Sequence, residues 1–187
     1  MHEENTFFLY YMLIHEILFH LFKDIPEIKT REYGIFNKKV YAGLKINTDK
    51  HIEMITKDVD FCIGKKVKMS ISGQEPVDLL LPIVAVEVKT YLDATMFGEV
   101  KSSSKAIRSA SPNSKTYVLM GYKNIANEHL IAARQDSTLT EIFVLQAREG
   151  APFDQNTIYE YWKEINAAVT NLSDDENINV PGRILKP

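Results

Sequence analysis

The chain has 187 residues, of which 45% are hydrophobic and 25% charged, a composition that excludes fibrous and disordered proteins. This length suits one domain with its own core, so residues 1–187 are predicted to form a single domain. The net charge of -3 gives no global sign of a nucleic-acid-binding protein. A single cysteine, Cys62, excludes an internal disulfide framework and favours a reducing, cytoplasmic setting.

The most apolar segment is Phe7–Phe22. It is too short to span a bilayer, and it contains His15, Glu16 and His20. No lysine or arginine precedes it, so it is not predicted to be a signal peptide. We therefore predict an amphipathic, buried helix over Thr6–Phe22 and no membrane partner.

The rest of the chain alternates between strand and helix patterns. Strands are predicted at Ile35–Ile46, Ile55–Ile63, Ile83–Lys89, Thr116–Gly121 and Ile142–Leu145. Helices are predicted at Ala94–Ala110, Ile125–Arg134 and Asn156–Leu172. This order predicts an α/β or α+β fold in which helices flank a central mixed sheet.

An acidic residue, any residue and then lysine occur three times in the chain, at Glu27–Lys29, Glu87–Lys89 and Glu99–Lys101. The first copy follows Pro26 without a leading apolar run, which is typical of a solvated connection. The third lies in a predicted helix, where positions i and i+2 point to different faces. Only Glu87 and Lys89 lie on a predicted strand, whose period of two places both side chains on one face.

A second predicted strand supplies acidic partners. Asp58 and Asp60 alternate with Val59, Phe61 and Ile63, so the two carboxylates share one face. If this strand pairs beside Ile83–Lys89 at about 4.8 Å, an aspartate can approach Glu87. Asp60 is the first choice and Asp58 the second, because Asp60 directly precedes the buried run.

Two carboxylates and a lysine suit the hydrolysis of a phosphodiester. Asp60 and Glu87 would hold Mg²⁺, and Lys89 would orient water or stabilise the developing negative charge. An ordinary cross-strand charge cluster remains the alternative. Against that alternative, Val84–Val88 is apolar except for Glu87, and a charge in such a strand is costly unless it is compensated.

These residues resemble the PD-(D/E)xK nuclease superfamily. The stretch EVKTYLDATM, Glu87–Met96, is similar to type II restriction endonucleases that cut asymmetric sites with two different subunits. The resemblance implies a restriction-endonuclease-like core and Mg²⁺-dependent cleavage of double-stranded DNA. It also implies that Asp60 and Glu87 are metal ligands and that Lys89 is the catalytic lysine.

Two features depart from that family or extend it. Val59 stands where the motif name has proline, and 187 residues leave little room for a separate recognition domain. DNA recognition would then fall to loops such as Gly64–Leu79 or to a partner chain. Many members carry an acid on the first helix, and Glu16 is the candidate here, although a solvent-facing or histidine-paired glutamate is the alternative.

Lys101, Lys105 and Arg108 form a basic stripe on the predicted helix that follows Lys89. A solvated helix face is the default interpretation, but the position also suits contacts with DNA phosphates. The leading hypothesis is a type II restriction endonuclease acting as a homodimer or with a second nuclease subunit. The alternatives are a repair or recombination nuclease of the same fold and a non-catalytic DNA-binding subunit.

Overall fold

A computed structural model describes residues 14, 16–30, 33–49, 51–70, 73, 75–135 and 138–170 of the chain. Most of the predicted first helix, residues 6–13 and 15, lies outside this described part, and residues 16–22 are helical. Within the same ranges, no helix combines the length and the hydropathy that crossing a membrane requires.

The described chain contains five helices and seven strands, numbered in chain order. The helices are α1 (16–22), α2 (Pro26–Thr30), α3 (Ala94–Ala110), α4 (Asn127–Gln135) and α5 (Gln155–Thr170). The strands are β1 (Gly34–Phe36), β2 (Lys39–Ile46), β3 (Ile52–Asp58), β4 (Phe61–Met69), β5 (Val77–Leu92), β6 (Lys115–Lys123) and β7 (Glu141–Val144).

Five strands form a mixed sheet in the order β1-β4-β5-β6-β7. The pairs β1–β4 and β4–β5 are antiparallel, whereas β5–β6 and β6–β7 are parallel. Helix α3 provides the crossover between β5 and β6, as parallel neighbours require. This mixed sheet between helices confirms the predicted fold class.

Two predicted strands are wrong because each is broken in the middle. The segment Ile35–Ile46 divides into β1 and β2, which lie in different sheets, and Ile55–Ile63 divides into β3 and β4. Strands β2 and β3 pair only with each other, as a hairpin inserted between two neighbours of the main sheet. Neither break carries a proline or glycine, so the sequence pattern runs through both without interruption.

The predicted recognition loop Gly64–Leu79 is also wrong as a loop. Most of its residues extend β4 and begin β5, and they pair in register from Lys65 opposite Leu81 to Met69 opposite Val77. Its lysines, Lys65, Lys66 and Lys68, occupy exposed positions of a strand.

Apolar side chains fill both faces of the main sheet. On one face α1 and α5 pack against alternate residues of the central strands, which include Phe61, Ile63, Val84, Val86, Val88, Tyr117 and Leu119. On the other face α3 and the β2–β3 hairpin cover Cys62, Leu80 and Ala85. The two faces of β5 therefore differ, and Glu87 and Lys89 in its second half lie on the α3 side.

The β4–β5 pairing contains a bulge at which glycine is required. The register shifts between Ile63 and Gly64, so β5 carries one extra residue there. A Cβ added to Gly64 would collide with the main-chain oxygen of Leu81, which cannot rotate away as a side chain could.

We expect Gly64→Ala to lower the free energy of unfolding by about 1–3 kcal/mol, the usual cost of forcing atoms into a packed site. Urea unfolding followed by circular dichroism measures this. Gly98→Ala is the matched control, because Gly98 lies in α3 and a Cβ there meets nothing within 4 Å. The control should gain about 0.5–1 kcal/mol from higher helix propensity, and equal losses in both variants would contradict the expected clash.

Candidate active site

Strand β5 places Glu87 and Lys89 side by side on its α3 face. Val86 and Val88 point into the core beneath α1 and α5, and Ala85 joins the core cluster that includes Ile107 of α3. The alternation along a strand therefore turns Glu87 and Lys89 away from the larger core. Their side chains are 16% and 30% exposed, so both are accessible from solvent although partly buried.

Asp60 reaches the same point from the break between β3 and β4. The β4–β5 ladder ends at the pair Phe61–Val86, and Asp60 lies one residue before it. The Val88 N–H donates a hydrogen bond of 2.7 Å to Asp60 Oδ2, so a carboxylate takes the acceptor place of a strand carbonyl. This bond orients Asp60 towards the strand that carries Glu87 and Lys89.

The lysine lies between the two carboxylates. Lys89 Nζ is 3.1 Å from Glu87 Oε2, to which it donates a hydrogen bond, and 3.7 Å from Asp60 Oδ2. Two carboxylates and one ammonium leave this cluster with an excess negative charge. An arrangement of this kind attracts a cation rather than a free phosphate.

The pKa of Glu87 is shifted by its burial and by its charged neighbours Asp60 and Lys89. Burial above all, opposed by Lys89 and reinforced by the nearby Asp60 charge, raises the pKa of Glu87 to about 7. The pKa of Lys89 is also raised: burial alone would lower it, but the charges of Asp60 and Glu87 outweigh that effect. The lysine is therefore an ammonium at neutral pH.

The structure separates the two secondary acidic candidates from this cluster. Asp58 is exposed at the end of β3, where it lies opposite Lys39 of the hairpin. Glu16 lies on α1 with its side chain 70% exposed, and it contacts His20 Nε2 at 2.9 Å. Glu16 thus shows the solvent-facing, histidine-paired arrangement given above as the alternative.

The basic stripe lies on α3 as predicted, since that helix has the predicted bounds. Lys105 is exposed, whereas Lys101 and Arg108 are partly buried. Lys101 Nζ lies 5.8 Å from the centre of the Phe97 ring, which holds part of this side chain against its own helix. The stripe is therefore available to solvent mainly through Lys105.

The donor set fits a hard divalent ion that keeps part of its water shell. Among the described residues no group of three or more histidine, cysteine, aspartate or glutamate side chains converges on a metal position. Asp60 and Glu87 supply two carboxylates, and Mg²⁺ is commonly bound by one or two carboxylates together with waters and substrate phosphates. Zinc, which takes three or four nitrogen and sulfur ligands, does not fit this set.

Sequence reasoning missed one participant, the main-chain N–H of Val88. A backbone donor leaves no mark in the sequence, and the strand break that frees it was not predicted. A signal was nevertheless present, because Asp60 directly precedes the buried run of β4 and aspartate commonly bonds to nearby backbone groups.

The raised pKa of Glu87 predicts a pH-dependent stability without metal. Because the folded protein binds this proton more tightly than the unfolded chain does, the carboxyl adds to the free energy of unfolding. This contribution is complete below the ordinary pKa of about 4.5 and is lost as pH rises through about 7. Glu87→Gln, which is neutral throughout, should therefore gain stability relative to the unmodified protein between roughly pH 5 and 8. We expect a gain on the order of 2 kcal/mol, measured by urea unfolding in EDTA, and a constant difference across this range would contradict it.

Comparisons with known proteins identify a family and a similar fold. A model of the Bpu10I restriction endonuclease family matches residues 8–177. The fold is similar to a solved structure of the native BbvCI A2B2 tetramer, with a TM-score of 0.60 and 17% sequence identity. That match covers 86% of this chain, and the chain spans 65% of the matched BbvCI chain.

Comparison with curated proteins found no match. The family match extends over nearly the whole chain and confirms the predicted resemblance to restriction endonucleases, while the structural similarity supports the fold. The chain belongs to the Bpu10I restriction endonuclease family.

Proposed function

We propose that this chain is the cleavage subunit of a type II restriction endonuclease, which hydrolyses phosphodiester bonds of double-stranded DNA with the help of Mg²⁺. The observation that carries the proposal is that the carboxylates of Glu87 and Asp60 lie 3.1 and 3.7 Å from Lys89 Nζ, at one accessible point. Family membership supports a restriction enzyme over a repair or recombination nuclease.

In this proposal Asp60 and Glu87 hold the metal. When bound, Mg²⁺ polarises the scissile phosphate and lowers the pKa of coordinated water. The two carboxylates are prepared for a cation, because their mutual repulsion and burial already favour proton uptake by Glu87. With one divalent ion present, the cluster carries one net positive charge and attracts a phosphate.

Lys89 contributes as a fixed positive charge. Its ammonium is held by both carboxylates and remains protonated at neutral pH, which suits a hydrogen-bond donor better than a general base. A donor held in place before the reaction stabilises negative charge that develops on phosphate oxygens or leaving groups. In this scheme Asp60 acts both as a metal ligand and, through Val88 N–H, as a link to the strand.

DNA would be positioned by phosphate contacts near this site. The α3 stripe of Lys101, Lys105 and Arg108 supplies charges for such contacts, which set the register of a duplex without reading its sequence.

Because one cluster of this kind cuts one strand, we propose that two nuclease chains act together, as a homodimer or with a different subunit. The BbvCI structure is an assembly of two kinds of subunit. We further propose that residues 1–187 form one nuclease domain.

The cleavage proposal predicts that Glu87→Ala abolishes cutting of supercoiled plasmid in Mg²⁺ and that Lys89→Gln slows it about 10²-fold or more, the usual cost of losing a donor to developing charge. Agarose gels of nicked and linear products measure both effects. Discrete fragments from linear DNA indicate site-specific cleavage.

Glu99→Gln is the matched control, since it alters the other glutamate–x–lysine copy near the site but lies on the exposed face of α3. It should cut at the rate of the unmodified protein. Equal cutting by Glu87→Ala would refute the assignment, cutting restricted to branched DNA would favour the repair alternative, and no cutting by any variant would favour a non-catalytic subunit.

Asp60→Asn separates the proposed metal role from the structural role. The amide oxygen can still accept the Val88 N–H bond, so the unfolding free energy should change little, whereas the lost charge should weaken Mg²⁺ binding by about 10-fold or more. Calorimetric titration with Mg²⁺ measures the affinity. EDTA should stop plasmid cutting by the unmodified protein, and added Mg²⁺ should restore it; cutting that persists in EDTA would exclude the metal.

A further inference from the structure

The outer edge of the main sheet carries lysines that the proposed chemistry does not use. Strand β1 covers β4 only from Cys62 to Gly64, so no described strand pairs with the outer side of β4 between Lys65 and Met69. Lys65, Lys66 and Lys68 are exposed along this part of β4, and Lys38 is exposed just after β1. We call these four lysines the basic edge.

The β4 part of the basic edge extends away from the candidate active site. Strand β4 begins at Phe61, directly after Asp60, and its pairing with β5 runs from Val86 back to Val77. From Asp60 to Lys68 the chain advances eight residues, or roughly 26 Å at strand spacing. The axial rise of a duplex is about 3.4 Å per base pair, so this length corresponds to roughly eight base pairs.

The local charge balance along this edge is positive. Lys66 lies opposite Leu80, which carries no charge, and Lys68 lies opposite Asp78. An edge that needed only protection from other strands would also use lysines. A second feature distinguishes the two explanations.

That feature is a shallow groove beside the basic edge, lined by Ile28, Lys29, Tyr33, Gly34, Phe36 and Lys66. Lys66 Nζ lies 5.0 Å from the centre of the Phe36 ring, so ring and ammonium form one surface. Lys29 is 3.0 Å from Asp24, so its charge is partly balanced. Aromatic rings beside an ammonium suit a sugar–phosphate backbone, which is apolar at the sugar and anionic at the phosphate.

We propose that the basic edge binds the backbone of the DNA duplex on one side of the cleavage point, through Lys66 and Lys68 above all. This inference rests on the proposed nuclease function. It assigns phosphate contacts to the β4 edge, in addition to the α3 stripe. It also makes a positioning element of the β4–β5 arm, by which we mean Lys65–Met69 paired with Val77–Leu81. The contacts are electrostatic, so they are sensitive to salt and independent of base sequence.

The test measures binding of a fluorescein-labelled duplex of about 20 base pairs by anisotropy, in EDTA, between roughly 50 and 200 mM salt. The double variant Lys66→Gln/Lys68→Gln should bind more weakly than the unmodified protein. The slope of log K against log salt should fall by about two, since each phosphate contact contributes about 0.9. The charge-retaining Lys66→Arg/Lys68→Arg should keep most of the slope.

Lys163→Gln is the control, because Lys163 is an exposed lysine of α5, the helix that packs on the opposite face of the sheet. Its slope should equal that of the unmodified protein, and circular dichroism should show that all variants are folded. An unchanged slope in Lys66→Gln/Lys68→Gln would overturn the inference, and plasmid cutting by that variant at the normal rate would leave the nuclease proposal standing. An unmodified protein that neither binds nor cuts DNA would overturn both.

Discussion

The hydrogen bond from the Val88 N–H to the Asp60 carboxylate determines how the candidate site is built. Strand β4 stops pairing with β5 one residue after Asp60, and the side chain of Asp60 then satisfies the next backbone donor of β5. A buried N–H without an acceptor would cost free energy. The Val88 N–H therefore holds the Asp60 carboxylate in place, as the other backbone N–H groups of the sheet hold strand carbonyls. Asp60 is thereby placed near Glu87, although it lies between β3 and β4 and belongs to neither strand.

The same bond forces two acids together, and the remaining properties of the cluster follow from that proximity. Glu87 is partly buried near Asp60, which raises its pKa, and Lys89 compensates only part of the excess charge. A protein normally avoids such a cluster because unpaired charge in a partly buried site is unfavourable. The retained excess of negative charge supports the proposal that Asp60 and Glu87 hold a cation.

Much of this arrangement was predictable from local patterns. Strand β6 and the second half of β5 were predicted from their apolar runs, and α3 was predicted in the gap between them. The period of two along β5 was enough to pair Glu87 with Lys89. Asp60 was chosen for its place before a buried run, but it was expected within a strand and lies at a break. The β2–β3 hairpin and the β4–β5 arm were missed, because continuous strand-forming residues and scattered lysines do not show where a chain changes sheets. The catalytic roles of the three residues stay predictions.

The hairpin also has a consequence for how this fold can vary. The chain leaves the main sheet after Phe36 and returns at Phe61. Because Phe36 pairs with Cys62, the end of β1 and the beginning of β4 lie next to each other. Residues can therefore be added to or removed from β2 and β3 without changing the register of β1 on β4. Asp60 belongs to the returning end, which is tied to β5. The hairpin and the register that holds the carboxylate pair are accordingly separate features of this fold.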